Sequence, residues 1–351
     1  MTTVSHPLLS TKSKLFQRDT FIFSTSLPAK LLFGVNQHRI PISSALVQRW
    51  AYLLAPHSEP FHLRPVTIHQ FGIMAYGIMP NGPPIPENSS EPLPPGNYGW
   101  YGAGSTARFL PQITTMPNPP SFAVMKKSWT WFPNQEIMLD VLPSVAEVVR
   151  QRDQHRCFIT GIASHNDTDL VWMFPPCFAH LCRFPPLRDG YDDVPEFFET
   201  ASNAAFLHKE LVPFFHDNAF SVDVDNDHRI LIFRDIGPAQ TLLPSHLKVH
   251  LNEGPDDWYL REHFRISLKV CVLDGDIRED YPSSVVLQMM DELGVNSVGS
   301  DDTVELAPMT DPRWQTVVGQ SIWENVLETR MAANYVPSDD SDEEEADRLD
   351  R

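Results

Sequence analysis

Residues 148–161 read VVRQRDQHRCFITG, and the order of residue types in this stretch decides how the chain is read. From Pro143 onward, Val145, Val148 and Val149 recur at helical spacing, with Ser144 as N-cap and Glu147 three residues on as its capping-box partner. The charged run Arg-Gln-Arg-Asp closes that helix. RCFITG follows as a turn that ends on Gly161. A helix running into a cysteine-bearing turn, with β-alternating sequence beyond it, reads as α+β.

Downstream, AFSVDVDNDHRILIF at 219–233 alternates apolar and polar residues around VDNDH, the pattern of a β-hairpin. Residues 256–273 and 282–293 have helical spacing, the second with Pro282 at its start and Gly294 at its end. A last amphipathic helix is expected from about Pro312 to Asn334, with Trp314, Val317, Ile322, Val326 and Met331 on its buried face. Upstream, 19–36 and 65–79 read as strands, with a helix at 42–54 between them. The proline-rich run NGPPIPENSSEPLPP at 81–95 reads as an exposed loop, after which GNYGWYGAG returns to strand-like sequence at 96–104. The expected division is a mostly β domain at 1–135, a central module at 143–237, a helical C-terminal part at 238–336 and a disordered acidic tail at 337–351.

Composition narrows the function classes. With 351 residues of which 42% are hydrophobic, the chain can bury real cores, whereas 32 prolines speak against a smoothly helical or doubly wound protein. The net charge is −18, of which the tail from Ser338 supplies −6, and no basic patch stands anywhere along the sequence. Such a surface repels phosphate, so charge disfavours nucleic acid as a partner. No apolar run approaches the roughly 20 residues of a membrane span. The first residues lack the apolar run of a secretory signal, and Cys157, Cys177, Cys182 and Cys271 form no CxxC pair. An intracellular protein, cytoplasmic or nuclear, is expected. Phosphate-loop, dinucleotide, serine-hydrolase and HExxH motifs are missing from the sequence.

Three smaller features have plain readings. Cys177, His180 and Cys182 lack the second ligand pair that a zinc site needs and read as packing residues. DVDNDH at 223–228 lacks the late glutamate of a calcium loop and reads as a solvated hairpin tip. Ser341, followed by Asp342, Glu343 and Glu344, suits an acid-directed kinase, against the plainer reading of a solubilising tail.

The landmarks of the central module come in a definite order. A helix with an Arg-Asp end leads into the turn of Arg156, Cys157, Thr160 and Gly161, and VWMFP follows at 171–175. Asn203 then precedes AAFL, after which come Glu210, Leu211, Val212, Pro213, Phe214, Phe215 and His216, and finally Phe220, Ser221, Val222 and Asp223. In this order the segment resembles the HNH-endonuclease-like family found in many fungal proteins. The stretches at 93–104 and 258–276 extend the resemblance to flanking parts of the chain.

That resemblance implies a ββα-metal finger, in which a hairpin and a helix hold one divalent ion. The family's two histidines fall here on Trp172 and Val212, while its asparagine is kept as Asn203. In such a site one histidine takes a proton from water and the cation stabilises charge on the phosphate. Indole has no lone pair to accept a proton, and a valine has nothing to bind a cation. Pro213 would also kink or shorten the helix that carries the ligand. The expectation is therefore an HNH nuclease domain-like protein without catalysis, in a binding or structural role, with no cofactor. The alternative is an active divalent-metal-dependent endonuclease with displaced ligands among Asp169, His208, Glu210 and His216. On a regular helix His208, Val212 and His216 would share a face. Asn203 reads as a residue that fixes the loop before the helix. A third possibility puts the function in the N-terminal β domain, with the module only bracing it.

Overall fold

The computed structural model describes residues 2–56, 60–102, 120–128, 139–182, 197–247, 254–295 and 306–334. The acidic tail expected at 337–351, including Ser341, lies outside the described residues.

The N-terminal sequence forms β1 (Thr2–Val4), α1 (Thr11–Leu15), β2 (Thr20–Ser24), β3 (Leu31–Val35), α2 (Ser44–Leu54), β4 (Phe61–Gly72), β5 (Ala75–Pro80) and β6 (Gly96–Gly102). These strands make one mixed sheet in the order β1-β4-β6-β2-β3, with β5 added to β4. Only β2 and β6 run parallel. Every residue of β2 and β3 is buried, as their near-continuous aromatic and aliphatic sequences require. The Ser43 hydroxyl caps α2 by accepting from the Leu46 N–H at 3.2 Å. Val47, Trp50, Ala51 and Leu54 then bury one helical face with Phe33, Phe61 and Trp100 of the sheet. The proline-rich run holds no helix or strand, as expected, yet it is not wholly exposed: Leu93 is buried, and Ile85 bridges to Leu63.

After α3 (Phe122–Ser128) comes α4 (Pro143–Asp153), and its N-terminus corrects the capping-box reading. Leu142 is the N-cap, Pro143 opens the helix, and Ser144 lies inside the first turn with no capping bond. Proline suits that position because its missing N–H has no intrahelical partner there. Val145, Ala146 and Val149 form the buried face, while Val148 points outward.

β7 (Thr168–Trp172) and β8 (Ala204–His208) pair antiparallel, with Trp172 opposite Ala204 and Thr168 opposite His208. α5 (Val212–His216) follows, then β9 (Phe220–Asp223) and β10 (Arg229–Ile232), the expected hairpin. Pro213 sits in the first turn of α5, where it is tolerated, and the helix has only five residues. His208 is consequently the end of a strand, so His208, Val212 and His216 share no helical face.

The C-terminal helices are α6 (Asp257–Cys271), α7 (Ser283–Glu292) and α8 (Val317–Asn334). α6 serves two cores: Tyr259, Leu260 and Ile266 join the core of the central residues, whereas Phe264, Leu268 and Cys271 join the core beneath the N-terminal sheet. Among the described residues, α6 therefore packs with elements on both sides of it in the sequence. Only α7 and α8 have a cluster of their own, around Leu293, Trp314, Val318 and Ile322. α8 begins at Val317, because Pro312–Gln315 forms a 3-10 turn and the Thr316 hydroxyl accepts from the Gly319 N–H at 3.0 Å. Trp314 and Ile322 are buried as expected, but Met331 is 73% exposed. Thus the architecture is mixed α+β, and no helix among the described residues is long and apolar enough to cross a membrane.

Candidate functional site

The turn after α4 is held from inside. Cys157 is buried, and its Sγ accepts from the Thr160 N–H at 3.4 Å and the His208 N–H at 3.3 Å. Gly161 closes the turn at φ +73°, a conformation glycine adopts without strain. The Arg-Asp end of α4 is structural too. Arg152 donates to the carbonyls of Ala201 (2.8 Å), Ala204 (2.7 Å) and Gly254 (3.1 Å), while Asp153 holds its guanidinium. That clamp fixes the entry into β8.

Asn203, at the end of the 3-10 turn before β8, completes the clamp. Its Oδ1 accepts from the Phe174 N–H at 2.9 Å, and its Nδ2 donates to the carbonyls of Phe174 (2.7 Å) and Phe198 (2.8 Å). The side chain is fully buried and three of its hydrogen-bonding positions are used. It ties the end of the β7 segment to the start of β8, so it precedes a strand and not the helix expected from the sequence.

Trp172 and Val212 are not brought together. Along β7, Leu170 and Trp172 face one side and Val171 and Met173 the other, as strand alternation demands. Trp172 packs with Val145, Val149, Ala204 and Phe206, and its indole N–H donates to the Asp140 carbonyl at 3.0 Å. Val212 packs against the opposite cluster, which holds Leu211 and Phe215. Trp172 is thus buried in one apolar cluster, and Val212 is partly buried against another.

The four displaced-ligand candidates are also dispersed. Asp169 is exposed and faces Lys209 at 3.8 Å, and Glu210 is exposed. His208 Nδ1 accepts from the Glu210 N–H at 3.4 Å, a bond within its own turn. His216 ends α5 and lines a cavity of about 620 Å³ with Lys126, Lys127, Pro213 and Asp217. Burial, aided by Lys126, holds its imidazole down at about 4, so it is neutral at physiological pH. Its Nε2 is buried and has no hydrogen-bond partner among the described residues. Among the described residues, no three His, Cys, Asp or Glu side chains are grouped as a metal site requires. Cys177 and Cys182 pack against the central core, and burial pushes both thiols up, Cys177 to about 12.

Two polar features went unread in the sequence. His263 of α6 is fully buried and stacked on Phe215 at 3.9 Å. Its Nε2–H donates to the Phe215 carbonyl at 3.2 Å, which leaves Nδ1 to accept from the Ser221 hydroxyl at 2.7 Å. The second lies in DVDNDH, whose tip residues Asp225 and Asp227 are exposed as expected but whose acids Asp223 and Asp225 have distant partners. Asp223 is buried in a two-bond ion pair with Arg49 of α2, Asp225 pairs with Arg261 at 2.8 Å, and His228 meets Asp257 at 2.8 Å. No local pattern could have shown this, because the partners lie far along the chain.

Comparison with known proteins gave no matching family model, no curated relative and no solved structure of similar fold.

Proposed function

We propose that this chain is a non-catalytic binding protein built on an HNH-like ββα scaffold, formed by β7, β8 and α5. One observation carries the reading: of the positions where the resemblance puts the two histidines, Trp172 is buried in the apolar cluster with α4, and Val212, at the start of α5, is partly buried against a different apolar cluster. The strand-strand-helix order and the loop-fixing Asn203 support retention of the scaffold. A net charge of −18 favours a partner other than a bare phosphate backbone.

The competing reading, an endonuclease using Asp169, His208, Glu210 or His216, has less support, since no three such side chains are grouped among the described residues and Asp169 faces a lysine. Isothermal titration of the purified chain with Mg²⁺, Mn²⁺, Ni²⁺ and Zn²⁺, together with elemental analysis, tests the proposal. The expected result is no stoichiometric metal. A one-to-one site that disappears in His216→Ala would overturn it.

A further inference from the structure

Between β5 and β6 the chain reads NGPPIPENSSEPLPP at 81–95, with two glutamates and no lysine or arginine. Its first half has a defined shape. Proline fixes φ at about −65° and pushes the residue before it to extended backbone. Pro83, Pro84 and Pro86 therefore hold this stretch close to polyproline II, which repeats every three residues. Residues three apart should then share a face, and they do. A Cβ on Gly82 would stand 3.0 Å from the Pro65 ring, and Ile85 packs on the core beneath the N-terminal sheet, its N–H donating to the Leu63 carbonyl at 2.8 Å. Gly82 and Ile85 thus dock the stretch on β4. The other two faces, Pro83 with Pro86 and Pro84 with Glu87, are exposed.

We propose that Pro83, Pro84, Pro86 and Glu87 form a docking ridge for a partner protein carrying a WW-type module, whose aromatic proline groove has a basic rim. Two observations select this occupant. Grooves of this kind take proline rings from a chain already held in polyproline II, and here the contacts with β4 hold it in advance. Glu87 and Glu91 are exposed beside the prolines, and neither carboxylate is paired among the described residues. With no cation in the run, an acid-rimmed groove is repelled and a basic one attracted. The ridge belongs to the N-terminal sheet and does not rest on the HNH-like reading.

The test titrates the full chain against a panel of fluorescently labelled, purified WW domains with basic groove rims, and against WW and SH3 domains with acidic rims. Saturable binding is expected to basic-rimmed WW domains, and a synthetic proline-rich peptide in excess should release it. The double variant Pro83→Ala/Pro86→Ala should weaken this binding at least about tenfold, the scale of losing an interface anchor. Both positions are exposed, so the change carries little risk to folding, and circular dichroism checks it. Glu87→Lys should weaken binding about threefold at low ionic strength and less in high salt. No saturable binding to any basic-rimmed WW domain would overturn the ridge. So would binding that is indifferent to Pro83→Ala/Pro86→Ala, or lost only in Pro92→Ala/Pro95→Ala. Equal affinity for acid-rimmed grooves would overturn the choice of partner.

Discussion

At the scale of single residues, the sequence was most legible where one side chain performs one local task. Asn203 reads as fixing the loop before a helix; it directly precedes strand β8 instead, and its three hydrogen bonds fix that entry. Asn203→Ala would strand buried backbone groups of Phe174 and Phe198, and a loss of about 2–4 kcal/mol is expected in urea unfolding. A change below about 0.5 kcal/mol would show that the loop does not depend on it. Trp172 was readable as a missing base but not as a packing residue, because its face of β7 is set by α4. Trp172→His, which introduces the histidine that the HNH resemblance expects there, should lower stability by about 3 kcal/mol, the scale of emptying a large buried aromatic, without creating nuclease activity. Asp223 was visible as part of a strand, but its partner Arg49, contributed by another element far upstream, was not.

At the scale of elements, strands and helices with strong periodicity fell close to where the sequence put them: β2, β3, α2, β9, β10 and α6 all did. The misreadings sit at helix starts. Ser144 yielded to Pro143, and α8 gave its expected first turn to the 3-10 segment capped by Asp311. Gly319 shows why that corner is tight: a Cβ there would stand 2.0 Å from the Arg313 carbonyl oxygen, so Gly319→Ala should loosen the α7–α8 cluster, seen as faster amide exchange confined to these helices. The packing of α5 against α6 makes a pH prediction. Burial holds His263 at about 3 and His216 at about 4, whereas an unfolded histidine titrates near ~6.5. Below that pH the unfolded chain binds protons that the folded chain refuses. Stability fully present at neutral pH should therefore fall steadily as the pH drops from about 6.5 toward 4. The urea midpoint measured across this window should show the decline, and the slope should shrink in His263→Gln. A flat profile would contradict the buried, neutral placement of both rings.

At the scale of the whole molecule, α6 and the Arg49–Asp223 pair join what the sequence suggested were separate parts. Phe264 and Leu268 of α6 pack with Trp50 of α2, and Leu231 and Phe233 from β10 and the residue after it enter the same core. The Pro-rich composition and the change of pattern near residue 143 hid this, since a shared core leaves no mark on either segment alone. Arg49→Ala would leave Asp223, whose side chain is 1% exposed, as an uncompensated buried charge, and a loss of about 3–5 kcal/mol is expected. The central claim is that a kept scaffold carries an emptied nuclease site. It is tested most directly by incubating purified chain with supercoiled plasmid and Mg²⁺, Mn²⁺, Ni²⁺ or Zn²⁺, with His216→Ala alongside. The account predicts no nicking above the buffer control with any metal. Metal-dependent nicking by the wild type that His216→Ala abolishes would contradict it.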